Sequence, residues 1–321
     1  MMQEPFERPE RLPREKELAI ETAAYNPAFP AIQITVHDDQ DVTSNIMTSK
    51  MGGTPYAPST LQLPQLNKTQ IKHCTFQLLG QLNFAELHEQ VSPYPETLPP
   101  LPKSGILQLY YMMPNHLDNI QSFSNEGEQI EEECGLQLDD EQAFFIAWHP
   151  DPSFEAHQPV QASSGYLETG HPITFASSFS IDRSFEERLA NQFSQEEIRA
   201  FEWQSPWRKH HLLGEPNFMQ YDPRREYGTV EPAGCLGIFS WIGVALTKGI
   251  DEARRREEIK MEEQFQQNES QFGRQHILWQ IAEPNDSIRE LFTYTTILLT
   301  INEADLLAGQ LDKAWVSYQY T

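Results

Sequence analysis

Several short segments of the chain have the hydrophobic pattern of β-strands. In residues 31–37 (AIQITVH), Ile32, Ile34 and Val36 alternate with polar neighbours, which predicts a strand with one buried face. Other apolar segments are short and rich in β-branched and aromatic residues, and they predict further buried strands: 75–84, 106–113, 143–149, 276–282, 294–301 and 313–320. Strands therefore dominate the predicted fold.

Helical patterns are fewer. Residues 13–25 start with a proline and contain good helix formers, which predicts a short helix. Ser194 is followed three residues later by Glu197, so a capping box is predicted at the start of another. Residues 250–268 contain no Gly or Pro and many charged side chains, which predicts a charged, mostly solvated helix. A last short helix is expected to end at Gly309.

The two halves of the chain repeat one order of segments. A glycine-proline turn comes first, as GGTPY at 52–56 and LGEPN at 213–217. A strand with a central glutamine follows in each half, with Gln81 and Gln280 in matching places, and then a second apolar strand. This order predicts a diverged duplication. A loop that occurs at the same place in both halves is more simply explained as a connection between strands than as a binding site. Five residues are therefore interpreted as structural turn positions: Gly52, Gly53, Pro55, Gly214 and Pro216.

These patterns predict an α+β fold, in which two related antiparallel, strand-rich repeats pack into one compact body with helical insertions. The N-terminal tail and short helix span residues 1–24. The first repeat spans 25–182 and carries an acidic insertion at about 114–182. The second spans 183–321 and carries the charged helix 250–268.

The charge balance restricts the partners that the protein can have. The chain has 23 Lys and Arg against 47 Asp and Glu, which gives a net charge of -24. Non-specific binding of nucleic acid or of an anionic membrane needs excess basic residues, so neither is expected, whereas a basic partner is favoured. The longest apolar run, 235–247, is too short for the ~20 residues that span a bilayer. The N-terminus lacks the apolar core of a signal peptide and the cysteines are few and scattered, so a cytoplasmic location is expected.

The middle of the chain is strongly acidic. Between Lys103 and Arg183 there are 13 acidic residues and no Lys or Arg. Such a run is typical of a solvated loop. The alternative is a docking face for a basic protein, in which aromatic anchors stand within a charged rim. The residues proposed for that face are Glu131, Glu132, Glu133, Phe144 and Trp148.

The richest polar cluster lies in residues 210–224 (HHLLGEPNFMQYDPR). An Asp-Arg arrangement can hold a carboxylate or a phosphate, although Asp followed by Pro is also a common turn former. The candidate ligand-binding residues are His210, Gln220, Asp222 and Arg224. No glycine pattern of a nucleotide-binding loop, no zinc or calcium spacing and no nucleophile elbow is present, so no cofactor or metal is predicted and a catalytic residue cannot be assigned.

The order of the motifs resembles the bacterial YwqG-like family. The motifs that carry the resemblance are SKMGGTPYAP, LLGQLNFAEL, LPKSGILQLYY, HHLLGEPNFMQYDPR, ILWQI and NEADL, and together they cover most of residues 25–320. The resemblance implies an α+β protein of two related antiparallel halves, and it implies no particular reaction because the family's biochemical role is not established. Members typically carry a Trp-Gly-Asp-like element before the penultimate strand, where this chain reads SIRELFTYTT at 287–296.

Two functions follow as hypotheses. The first is a non-enzymatic cytoplasmic protein that binds another, basic protein in the manner of an immunity or adaptor protein. The second is an enzyme or small-ligand binder with its site between the two halves, around His210, Gln220, Asp222 and Arg224. A flat acidic face with exposed aromatics would favour the first hypothesis, and a pocket between the halves would favour the second. The sequence indicates no oligomeric state.

Overall fold

The structure of the protein is a computed structural model that describes most of the predicted strands. The described residues are 12–24, 29–64, 74–114, 143–157, 167, 169–181, 189–204, 210–215, 273–282 and 295–320. The predicted helix 250–268 and most of the acidic segment lie outside these residues.

Ten strands and four helices make up the described part of the chain. The strands are β1 Phe29–Val36, β2 Lys50–Met51, β3 Cys74–Asn83, β4 Ile106–Pro114, β5 Phe144–His149, β6 His171–Ser180, β7 His211–Leu212, β8 Gln275–Ala282, β9 Thr295–Asn302 and β10 Trp315–Tyr320. The helices are α1 Arg14–Ala24, α2 Phe84–Gln90, α3 Gln195–Gln204 and α4 Glu303–Leu307. All of the strand pairs are antiparallel, which confirms the strand-rich antiparallel class predicted from the sequence.

The start of α3 has the predicted capping box. The hydroxyl of Ser194 accepts a hydrogen bond from the backbone N–H of Glu197 at 3.2 Å. The Glu197 carboxylate accepts one in return from the N–H of Ser194 at 2.9 Å. The reciprocal pair satisfies two backbone donors that the first turn of the helix leaves without partners.

Strand β6 lies at the centre of the sheet, although the sequence assigns its residues to the acidic insertion. It pairs with β1 on one side and with β2 on the other. Its buried face consists of His171, Ile173 and Phe175. The remaining positions are mostly serine and alanine, which weakens the hydrophobic signal of a strand. Both β5 and β6 lie within the predicted span of the acidic insertion, and both belong to the sheet.

The pairing of β1 with β6 includes Thr35 and Thr174 close to one end of the ladder. These two residues pair with each other, Ile34 pairs with Phe175, and Val36 pairs with Ile173. Outside this central pair, β7 adds to β1 and β2 adds to β6. The strand order therefore runs β1-β7-β8-β9-β10 towards one edge and β6-β2-β3-β4-β5 towards the other.

The strand pairs β2–β3 and β7–β8 each place a glutamine opposite the short strand. Lys50 of β2 pairs with Gln81 of β3, and His211 of β7 pairs with Gln280 of β8. The register then shifts at one place in each half, between Leu78 and Gly80 in β3 and between Ile277 and Trp279 in β8.

The loops that follow β2 and β7 share a left-handed backbone. Gly52 and Gly53 have φ values of 69° and 74°, and Leu213 and Gly214 have φ values of 60° and 77°. Left-handed φ is unfavourable for a residue with a Cβ, which explains the glycines in the first loop. Pro216 lies outside the described residues.

One hydrophobic core joins the two halves. It contains residues of β1, β3 and β4 as well as β8 and β9, and the side chain of Trp279 in it is fully buried. The ring of Trp279 lies over Gly80, where a Cβ would come within 2.5 Å of its Cη2 atom. Trp148 of β5 and Val316 of β10, near opposite edges of the sheet, both pack against this core. The sheet is therefore curved around one interior.

Candidate functional site

The predicted ligand-binding cluster is only partly described. His210 is buried just before β7, and its backbone carbonyl accepts a hydrogen bond from the N–H of Ile34 at 2.9 Å. Gln220, Asp222 and Arg224 lie outside the described residues, so their convergence with His210 stays a prediction.

A cleft of about 320 Å³ opens beside this segment, where the two halves meet. Its walls come from four distant parts of the chain and from the start of β1. The lining residues are Phe29, Pro30, Thr97, Leu98, Pro99, Pro100, Leu213, Gly214, Glu215, Arg274, Gln275, His276, Glu303 and Leu307. The sequence hypothesis of a site between the halves named none of these residues for it.

The start of α4 carries the charged side of the cleft. Asn302 caps this helix, because its Oδ1 accepts a hydrogen bond from the N–H of Asp305 at 2.7 Å. The N–H of Glu303 donates to the carbonyl of Arg274 at 2.8 Å. This bond ties the start of α4 to the start of β8, so Glu303 and Arg274 reach the cleft from adjoining elements.

The opposite wall is a proline-rich segment held by two aromatic side chains. The hydroxyl of Tyr94 donates to the carbonyl of Pro99 at 2.7 Å, and Nε2 of His88 lies 3.0 Å from the carbonyl oxygen of Pro102. The two rings also pack together, with centroids 5.0 Å apart. Burial raises the pKa of Tyr94 well above its ordinary value, so the hydroxyl stays protonated and remains a donor. The wall is therefore fixed in shape.

The described polar groups of the cleft provide mostly hydrogen-bond acceptors. The Glu303 side chain is 47% exposed, and its Oε1 lies 3.6 Å from Nε2 of His276. The amide nitrogen of Gln275 donates to the carbonyl of Gly273 at 2.9 Å, which fixes the orientation of the amide. Its Oε1 is buried, and no described residue forms a hydrogen bond with it. Arg274 is exposed at the same end and adds a positive charge.

Large apolar side chains stand exposed at the cleft. Leu307, which lines it, is 60% exposed. Phe179 is 54% exposed and pairs with Pro30, another lining residue, across β6 and β1. Directly paired residues of antiparallel strands project from the same face, so Phe179 extends the apolar rim.

The glycine-proline loop of the first half is part of a hydrogen-bonded scaffold. Its backbone donors are occupied, since the N–H of Gly52 bonds to Leu79 and the N–H of Gly53 bonds to Leu167. A Cβ on Gly52 would lie 2.5 Å from the carbonyl oxygen of Thr169. The N–H groups of Gly52 and Gly53 are therefore not available to a bound phosphate.

Gln81 holds the continuation of that loop. Its Oε1 accepts from the N–H of Tyr56 at 2.9 Å and from Nε2 of Gln108 at 2.7 Å. Its Nε2 donates to the carbonyls of Ile46 and Thr48 at 2.9 and 2.8 Å. The glutamine singled out by the sequence therefore satisfies a buried loop.

Lys50 forms a second buried polar centre. Its Nζ donates to the carbonyl of Asn45 at 2.6 Å, with the carbonyl of Thr43 at 3.5 Å. Burial lowers the pKa of Lys50 to about 8, and the carboxylates of Asp41 and Glu86 oppose that effect. Glu86 in turn accepts from the N–H of Ser49 at 2.7 Å. The side chain is fully buried, so it organises the loop rather than contacting a ligand.

The aromatic residues proposed as docking anchors pack into the core. Phe144 is 9% exposed and contacts Tyr111, with ring centroids 4.9 Å apart. Trp148 is half-buried and packs edge-on against Phe84 at 5.5 Å. Core packing accounts for both side chains without a partner. Glu131, Glu132 and Glu133 lie outside the described residues.

The described part of the chain shows neither a metal-ligand cluster nor a membrane-spanning helix. No group of three or more His, Cys, Asp or Glu side chains there could hold a metal ion. No described helix has both the length and the apolar character needed to cross a membrane.

The chain matches one family model. Residues 49–319, which are most of the chain, match the family described as Domain of unknown function (DUF1963). No curated protein matches the chain.

Proposed function

The chain belongs to this DUF1963 family, and we propose that it is a non-enzymatic, cytoplasmic module that binds a basic protein. The observation that carries the proposal is the cleft at the junction of the halves, where a carboxylate and exposed apolar side chains stand together. Glu303 supplies the carboxylate, and Leu307 and Phe179 supply the apolar surface.

Exposed large apolar side chains in a folded protein need an explanation. Single ones are ordinary, but a group at the rim of a concave surface is typical of a protein interface. Leu307 and Phe179 are 60% and 54% exposed. Both flank one cleft, and a partner that covered them would remove apolar surface from water.

The charge of the chain supports a basic partner. The net charge is -24, and one-signed charge raises the rate at which an oppositely charged partner is met. Glu131, Glu132 and Glu133 of the acidic segment would contribute to this long-range attraction. The acidic segment therefore speeds the first encounter with the partner, and the cleft makes the contacts of the final complex.

A small-ligand binder with a site around His210, Gln220, Asp222 and Arg224 is the second candidate. The position of the cleft favours it, because the cleft lies between the halves and next to the segment that contains these residues. Its volume of about 320 Å³ is at the lower end of the ~300–1,000 Å³ range of small-molecule pockets. The exposed apolar side chains at the rim would play no part in binding a small ligand inside the cleft. Protein binding is therefore the preferred function.

We also propose that the chain is YwqG-like and arose by internal duplication. The pairing of Thr35 with Thr174 supports the duplication, as do the matching contacts of Gln81 and Gln280. The repeats would then be β1–β5 and β6–β10, with β1 and β6 exchanged between them. That division places the boundary before β6 rather than at residues 182 and 183. The cleft would then exist only where two repeats are joined in one chain, because a single repeat could not form it.

The protein-binding proposal can be tested by capture from a lysate of the source cells. The wild-type protein should retain a basic protein at low salt and release it at high salt, because exposed charge pairs are screened. Replacement of Phe179 or Leu307 by serine should weaken that capture. Phe154→Ser is the matched control, since Phe154 is 71% exposed but neither lines the cleft nor pairs with a residue that does.

The variants identify the surface that makes the contact. If Phe179→Ser and Leu307→Ser bind the captured protein as well as Phe154→Ser does, the cleft is not the docking surface. If no basic protein is retained at low salt, the binding function itself is wrong.

A further inference from the structure

We infer that the cleft holds one lysine or arginine side chain of the partner, with the cationic group at Glu303 and the apolar stem along the cleft wall. This inference rests on the protein-binding function proposed above and names the chemistry that the cleft recognises. It is carried by two acceptors, the apolar lining and the volume.

The first acceptor is the Glu303 carboxylate. Its side chain is about half exposed at the cleft, so a docked ammonium or guanidinium group can reach it. Asn302 and the backbone bond to Arg274 hold the residue at the first position of α4. A carboxylate fixed in this way needs little further ordering when a cation binds.

The second acceptor is the amide of Gln275. The residue is only 5% exposed, and its nitrogen is already committed to the carbonyl of Gly273. Gln275 lines the cleft, and its buried oxygen has no hydrogen-bond partner among the residues that the structure describes. A buried acceptor of this kind is unfavourable until a donor approaches, because it has lost water without gaining a bond. A cation with several N–H groups supplies donors for both Gln275 and Glu303.

The rest of the lining suits the stem of a long basic side chain. Leu98, Pro99, Leu213 and Leu307 provide apolar contacts around the cleft. Lysine and arginine bury their methylene groups against such surface while the charged end reaches a polar group. The volume of about 320 Å³ accommodates one such side chain but not a folded element.

Arg274 provides a test, because removal of its charge should change the affinity for a cation and for an anion in opposite directions. Arg274 is exposed, lines the cleft and is joined through its carbonyl to the N–H of Glu303, so its positive charge repels a cation bound at Glu303 and attracts an anion. Removal of the Arg274 charge should therefore strengthen binding of a cationic probe, and removal of the Glu303 charge should weaken it. A carboxylate ligand would give the opposite pair of results.

The experiment measures the binding of three probes by NMR titration of the full chain. The probes are Nα-acetyl-lysine-N-methylamide, its norleucine analogue and its glutamate analogue, which share a backbone and differ in the side-chain terminus. The wild-type protein should bind the lysine probe about fivefold more tightly than the norleucine probe. Glu303→Gln should weaken binding of the lysine probe by about fivefold, and Arg274→Gln should strengthen it by about twofold.

Each other result rejects the inference. Equal binding of the lysine and norleucine probes would mean that the charge is not recognised. Tighter binding of the glutamate probe, with loss in Arg274→Gln, would make the cleft an anion site. The lysine probe could fail to bind while substitution of Phe179 or Leu307 still weakens capture of the basic protein. In that case the cleft is the docking surface, but it does not hold a lysine or arginine side chain.

Discussion

At the scale of single residues, the buried polar groups explain sequence features that first suggested a ligand site. The adjacent glycines of the first loop have no free donors for a phosphate, because the N–H groups of Gly52 and Gly53 bond to neighbouring backbone. Gln81 and Lys50 fix the surrounding loop from inside the fold. The sequence identified Gln81 through its repeated position, but it gave no sign that Lys50 is buried.

The ionisation of Lys50 should make stability depend on pH. Its pKa is about 8 in the folded chain against an ordinary value of 10.5. Between these values the unfolded chain holds more protons at this residue, so the free energy of unfolding rises with pH, by at most about 1.4 kcal/mol per pH unit. Below pH 8 the residue is charged in both states, and its contribution is constant.

Lys50→Met should remove that rise. Urea unfolding of the variant and the wild type across pH 7 to 10.5 gives the difference between their free energies of unfolding. The contributions of other titrating groups cancel in this difference. Lys103→Met, at an exposed position, controls for the loss of one positive charge. A difference between wild type and Lys50→Met that stays flat with pH would contradict the buried cation.

At the scale of secondary-structure elements, the strong periodic and capping signals were reliable and the weak ones were not. The capping box of Ser194 and Glu197 was predicted and is present. Strand β6 was assigned to an insertion, since serine and alanine dilute its apolar face. The strands β2 and β7 have two residues each, which is too short for any periodicity.

The cap of α4 should matter for both stability and the cleft. Asn302→Ala removes the acceptor of the Asp305 N–H and should lower the free energy of unfolding by about 1 kcal/mol. Because Glu303 is the next residue, binding of the lysine probe should also weaken. Asn302→Ser keeps a capping oxygen, so it should lose much less stability and much less affinity for the lysine probe. Urea unfolding measures the first loss, and NMR titration measures the second. Equal losses for alanine and serine would mean that the cap has no such role.

At the scale of the whole molecule, the sequence predicted the antiparallel class but not the cleft. The class follows from short apolar segments, each visible by itself. The cleft is formed by residues 29–30, 97–100, 213–215 and 274–276 together with Glu303 and Leu307, and no local pattern connects them. The same limit applies to the contact between Gly80 and Trp279, because the two residues are far apart in the chain and meet only when the halves pack.

That contact can be tested with a double-mutant cycle. Gly80→Ala places a methyl group 2.5 Å from Cη2 of the buried Trp279 ring, and such overpacking should cost about 1–3 kcal/mol. In a Trp279→Phe background the smaller ring leaves room, so the same substitution should cost at least about 1 kcal/mol less. Urea unfolding of the four proteins measures the coupling. Additive effects would show that Gly80 does not set the packing between the halves.

The central claim is that the cleft between the halves is where a basic protein docks. Hydrogen exchange measured by mass spectrometry, with and without the protein captured at low salt, tests it most directly. Binding should slow exchange in peptides that cover residues 213–215, 274–276 and 303–307, with smaller changes elsewhere. Slowed exchange confined to the acidic segment around Glu131–Glu133, or no change at the cleft, would contradict the account.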